Sequence, residues 1–168
     1  MAFKEVDIAS VNLNPFEKFG TEWALVTAGD EQGFNTMTIG WGALGVVWGK
    51  NAMTVYIRPQ RYTKRFVDAA DRFTVSFFPH ACKRALGVLG TKSGRDGDKV
   101  AEVGFTPVHL DGTTTFAEAN LVFVCRKLYA DELKHECFVD AAVDEKTYPE
   151  RDYHTMYIGE IEHVYVDA

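Results

Sequence analysis

The sequence predicts a small, mainly β barrel of the α+β kind, carrying a few short helices. Three observations lead there. Short β-prone runs bounded by glycine or proline recur along the chain, and no strand-helix-strand cadence joins them into a doubly wound sheet. The run Leu121-Val122-Phe123-Val124-Cys125 is apolar at every position rather than every second one. Such a strand is buried on both faces, as a barrel wall is when a helix or a second subunit covers its outside.

The elements follow in order. Residues 23–27 (WALVT) are apolar and β-prone, residues 28–33 supply a turn, and residues 34–39 resume as a second strand, forming a hairpin. Gly40, Gly42 and Gly45 interrupt the next segment around Trp41 and ahead of Trp48, a density that signals a bulge, a sharp bend or close approach of backbone to a ligand. Residues 52–57 (AMTVYI) form a strand ended by Arg58-Pro59. Residues 62–70 read as a helix with Phe66, Val67 and Ala70 toward the core. Residues 73–78 (FTVSFF) are a strand closed by Pro79, and residues 81–89 a short helix with Ala85, Leu86 and Leu89 on one face. Residues 93–98 make a loop, 99–103 a helical turn and 105–108 a short strand; residues 121–128 and 156–166 are the long late strands.

With 168 residues the chain has the size of a single domain, spanning 1–168 and able to enclose a core without disulfides or metals. Hydrophobic residues at 46% and charged residues at 25% exclude disorder and fibrous repeats. Twelve Phe, seven Tyr and three Trp exceed what so small a core needs, so part of that surface is expected in a pocket or a subunit interface. A net charge of −6 argues against binding to nucleic acid or an anionic membrane. Charge is unevenly spread, however. Residues 58–99 hold 10 basic and 4 acidic side chains, whereas residues 101–168 hold 5 and 14. The basic stretch suits either a small bound anion or solvated helix faces.

Cys82, Cys125 and Cys137 have no C-x-x-C spacing and suggest reduced thiols, with Cys125 buried in its apolar run. Acidic residues near the N-terminus replace the apolar stretch of a signal peptide, and no window approaches the roughly 18 apolar residues of a membrane span. The expected location is the cytoplasm.

Three segments offer chemistry. Asn35, Thr36 and Thr38 bring amide and hydroxyl groups suited to a planar heterocycle, with Met37 among them and Trp41 able to flank a ring; a structural Thr-rich strand would look the same. Arg58, Arg61, Tyr62 and Thr63 set two guanidinium groups and two hydroxyls beside a helix start, which fits a phosphate or a capped surface helix. Ser93, Gly94, Arg95, Asp96 and Lys99 belong to a glycine-rich loop able to wrap an anion or to serve as a flexible turn; it lacks the order of a Walker A loop. The histidines share no metal-ligand spacing, and neither a nucleophile elbow nor a G-x-G-x-x-G helix start occurs. His154, opening the last strand, is either a pocket residue or a structural histidine.

Taken in order, residues 35–42, 56–63, 73–78 and 93–99 resemble the flavin reductase-like family with its FMN-binding split-barrel fold, flavoredoxin-type members above all. The resemblance runs from about Phe16 to Val166. It implies a homodimer of split β-barrels holding FMN near the subunit interface. Asn35, Thr36, Met37 and Thr38 would border the isoalloxazine and ribityl chain, with Trp41 beside the ring. Arg58, Arg61, Tyr62 and Thr63, together with Ser93, Gly94, Arg95, Asp96 and Lys99, would hold the phosphate and nearby polar atoms. His154 would stand where a second ligand meets the flavin. The implied activity is NAD(P)H-dependent flavin reduction by hydride transfer to flavin N5, which needs no metal and no acid-base triad. Two alternatives stand beside it: an FMN electron carrier serving a flavin-dependent monooxygenase or other redox protein, and a binder of some other anion-tailed ligand.

Overall fold

Alternating and continuous apolar runs fold into antiparallel strands because each must bury a face and pair its main-chain polar groups. A computed structural model describes residues 3–168. Its strands are β1 (Phe3–Glu5), β2 (Ala24–Asp30), β3 (Gly33–Ile39), β4 (Gly42–Val47), β5 (Lys50–Ile57), β6 (Arg72–Phe77), β7 (Pro107–Leu110), β8 (Thr113–Phe116), β9 (Leu121–Glu132) and β10 (Thr155–Asp167). The α-helices are α1 (Pro15–Glu17), α2 (Tyr62–Ala69), α3 (Lys83–Thr91), α4 (Lys99–Val103) and α5 (Ala141–Thr147). The main sheet runs β3-β2-β6-β9-β10-β5-β4, with β1 added along the far half of β10, while β7 and β8 form a separate hairpin. The end strands β3 and β4 are consecutive in sequence but do not pair, so the barrel stays open between them.

The long strands do double service. Residues 155–160 of β10 pair with β5, residues 165–167 pair with β1, and register shifts at Ile158/Gly159 and Ile161/His163 bend it between the two. Gly159 is required there: a Cβ would stand 2.9 Å from the Cys125 Cβ and the Phe73 ring.

Burial of β9 on both faces is borne out, and the cover is intramolecular. Phe123 and Cys125 join Val26, Phe73, Phe77 and Tyr157 inside the barrel, whereas Val122 joins Leu86, Leu89, Phe105 and Phe116 under α3, α4 and the β7–β8 hairpin. On β6, Phe73, Val75 and Phe77 face the barrel while Thr74 and Ser76 face the hairpin, bonding Thr114 O at 2.6 Å and Thr115 Oγ1 at 2.8 Å. Helix α2 is closed at its C-terminus by Lys127, whose ammonium donates to Val67 O and Asp68 O.

Several expectations shift. The glycine-interrupted segment bends at Gly40, which lines a depression described below, and continues as strand β4, whose Gly42 admits the Phe19 ring rather than a ligand, since a Cβ there would run into that ring. The two-residue turn after it holds Trp48 and Gly49 at positive φ (54° and 70°). The strand expected over 105–108 forms at Pro107–Leu110, the helix over 81–89 at Lys83–Thr91, and β9 continues to Glu132. Strand β8 and helix α5 had no counterpart in the sequence reading. Among the described residues, no helix is long and apolar enough to cross a membrane.

Candidate functional site

Two adjoining depressions of about 190 and 180 Å³ share Met37 and Arg61 and together make one groove beside the open seam. Strand alternation puts Asn35 and Met37 on one face of β3 and Thr36 and Thr38 on the other, and the groove reaches around the strand's end to Thr38. Asn35 and Met37 line the first depression, and Asn35 is fixed by donating to Thr63 Oγ1 at 3.0 Å. Thr36 points the other way, sharing a 2.7 Å hydrogen bond with its cross-strand partner Thr27, and lies outside the groove. Thr38 lines the second depression and anchors α3 by donating to Leu86 O at 2.6 Å.

The far end of the first depression is cationic. Arg61, Tyr62 and Thr63 open α2, whose first turn has no side-chain cap, so its N–H groups face the same end. The glycine-rich loop closes over them: Ser93, Gly94 and Arg95 line the depression, and a Cβ on Gly94 would collide with Asn35 Oδ1 and come within 3.3 Å of the Tyr62 ring. Arg61 donates to Gly90 O at 2.9 Å, and Arg95 donates to Gln60 O at 3.2 Å and covers the Tyr62 ring at 4.7 Å. Neither guanidinium has a carboxylate partner among the described residues, and no Asp or Glu lines either depression. Two guanidinium groups without a carboxylate partner, each with N–H groups to spare, are a donor set suited to an anion.

Lys99 reaches the same depression but is 5% exposed and donates to Leu89 O at 2.8 Å and Lys92 O at 3.0 Å, clamping the loop. Burial and the nearby Arg61 charge lower its pKa to about 8. Its ammonium satisfies carbonyls at the end of α3, so the side chain that the resemblance sets near the phosphate braces the loop. Asp96 lines neither depression of the groove; with Asp98 and Glu102 it lines a neighbouring one that shares Thr91, Lys92, Ser93 and Lys99 with the first.

The second depression is formed by Met37, Thr38, Trp41, Tyr56, Arg58 and His154. Trp41 is 49% exposed and lies against the His154 ring, centroids 4.7 Å apart. Arg58 bonds Asp152, donates to Thr147 O at 3.0 Å and covers the Tyr148 ring at 5.3 Å. His154 is 9% exposed; burial first, then the Arg58 charge, pulls its pKa to about 4, so the ring is neutral at neutral pH. Tyr148 and Asp152 carried no sequence signal, because they meet Arg58 only through the α5–β10 connection; Gln60, inside the 56–63 segment, joins them by donating to Asp152 at 2.8 Å. Beyond Trp41 lies an apolar depression of about 510 Å³ lined by Phe16, Phe19, Leu44 and Tyr56.

The fold and this groove have relatives. The FMN-binding domain of a flavin reductases-like enzyme from Shewanella baltica is similar at a TM-score of 0.70 and 15% identity, over 99% of this chain and 78% of that one. Flavoredoxin of Desulfovibrio vulgaris (Miyazaki F) is similar at 0.68 and 23%, over 98% and 77%, and flavoredoxin from Methanosarcina acetivorans at 0.67 and 20%, over 87% and 68%. At these identities the likeness shows the fold, the split barrel. No curated protein sequence matches the chain. The flavin reductase like domain matches residues 16–168, nearly the whole chain, and the protein belongs to that family.

Proposed function

We propose that the groove holds FMN and that the protein is an NAD(P)H-dependent flavin oxidoreductase. The observation that carries this reading is the pair of unneutralised guanidinium groups, Arg61 and Arg95, at one end of a carboxylate-free groove whose other end is aromatic. The donor set fits the cofactor. Arg61, Arg95, Ser93 and the first turn of α2 would take the phosphate; Asn35 and Met37 border the middle; Trp41 and His154 stand at the ring end. When bound, FMN supplies a ring that accepts a hydride from nicotinamide and passes electrons onward. The chain supplies position and potential. Arg58, although paired with Asp152, sets a guanidinium at the ring end and favours added negative charge there, while neutral His154 contributes a polar group without a further charge.

A homodimer accords with the apolar depression beside Trp41 and with the exposure of Phe16 (86%) and Trp48 (59%), which a second copy would cover. The same open aromatic rim favours a second reading, an FMN electron carrier that docks another redox protein such as a flavin-dependent monooxygenase. Mixing protein and FMN with NADH or NADPH under anaerobic conditions separates the two. Bleaching of the visible flavin band within minutes supports the reductase, and retained flavin without bleaching supports the carrier. Protein that takes up no FMN contradicts both.

A further inference from the structure

The connection from α5 to β10 brings together a side-chain network behind the ring end of the groove. Tyr148 is buried, and its hydroxyl lies 2.7 Å from Nδ1 of His154, its only side-chain hydrogen-bond partner among the described residues. Counting hydrogens gives the direction of that bond. If Nδ1 carried a hydrogen and donated it, the single phenolic hydrogen would be buried without an acceptor, at a cost of ~1–3 kcal/mol. Tyr148 therefore donates and Nδ1 accepts.

The ring stays neutral because of what faces it. Arg58 and Arg61 are positive, Tyr148 keeps its hydrogen because burial pushes its pKa up, and Asp152, the one opposing carboxylate, is engaged by Gln60 and Arg58. The single ring hydrogen then sits on Nε2. Among the described residues that atom has no hydrogen-bond partner; it is not one of the sealed, unpartnered polar atoms, and it belongs to a residue lining the second depression. It opens to the groove. Tyr148 is itself held by the Arg58 guanidinium on one side and the Tyr153 ring, 4.7 Å away, on another.

We propose that Tyr148 is a positioning residue that locks His154 as a neutral Nε2–H donor, and that this donor selects a second ligand presenting a carbonyl-type oxygen acceptor to the groove. The ligand half rests on the FMN reading; the tautomer half does not. A ligand offering only an N–H donor at that point would leave Nε2–H unpartnered and be rejected.

Long-range proton–nitrogen NMR on histidine-labelled protein, with and without FMN, tests the lock. In the wild type His154 should show a bare Nδ1 and a protonated Nε2 throughout the neutral range. Tyr148→Phe, which keeps the ring packing, should mix the tautomers and move the His154 titration upward. In steady-state kinetics the KM for the nicotinamide should rise several-fold in Tyr148→Phe and on the order of tenfold in His154→Leu, whereas His154→Gln, retaining an N–H donor, should stay near wild type. A protonated Nδ1 in the wild type, or unchanged signals in Tyr148→Phe, overturns the lock; an unchanged KM in His154→Leu overturns the selection. If the tautomer is fixed but FMN does not bind, the FMN reading fails and the lock stands.

Discussion

Removing Arg61 and Arg95 together tests the anion end of the groove most sharply. Each guanidinium commits one N–H to a main-chain carbonyl, Gly90 O or Gln60 O, and keeps a fork free for phosphate. A charge-assisted hydrogen bond is worth ~1.5–3 kcal/mol, and both side chains are exposed, so the lower end applies. The double variant Arg61→Ala/Arg95→Ala should lose ~3 kcal/mol, on the order of a hundredfold in FMN Kd at 1.4 kcal/mol per tenfold. Fluorescence titration reads this directly, and riboflavin, which lacks the phosphate, is the control. Riboflavin affinity should change little. An equal loss for both ligands would show that the variant merely loosens the loop, and unchanged FMN affinity would refute the assignment of the phosphate end.

Three further outcomes follow from the same geometry. Lys99 has a folded pKa of about 8, below its ordinary 10.5, so the folded protein releases this proton first as pH rises and the residue's contribution to stability grows between those values; FMN affinity should fall over the same range, since a bound anion favours the charged ammonium. Thermal melts and FMN titrations across that range check both signs, and Lys99→Met should abolish both trends. Gly94→Ala should displace Asn35, break its bond to Thr63 and weaken FMN binding, with a stability loss of ~1–3 kcal/mol in denaturant unfolding. Trp41→Ala should change the fluorescence of bound flavin while shifting the melting temperature little, because half of the ring is already exposed; unfolding of the variant would make Trp41 a core residue.

The sequence carried the local features well and the long-range ones poorly. Helix α2 was legible because Phe66 and Val67 stand four and three residues before Ala70, a helical spacing, and the two-sided burial of β9 was legible from its unbroken apolar run. The loop over 93–99 could be picked out from its glycines and polar residue types. Thr36 could be assigned to the face opposite Asn35 and Met37, although Thr38 shares that face and still reaches the second depression. Asp96 could not: whether a loop side chain turns in or out depends on main-chain bonds such as Asp96 N–H to Ser93 O. Nor could the Tyr148–His154–Arg58 network, in which Arg58 stands some ninety residues from the other two and meets them only when β5 pairs with β10. Strand β4 was obscured by its glycines, one of which serves an aromatic ring from α1's neighbouring turn rather than a ligand.

The visible spectrum of the purified protein after mixing with FMN and desalting tests the central claim most directly. A retained flavin band, with its phosphate-dependent loss in Arg61→Ala/Arg95→Ala, is the result expected from the groove. Colourless protein that leaves all of the FMN in the small-molecule fraction would contradict it.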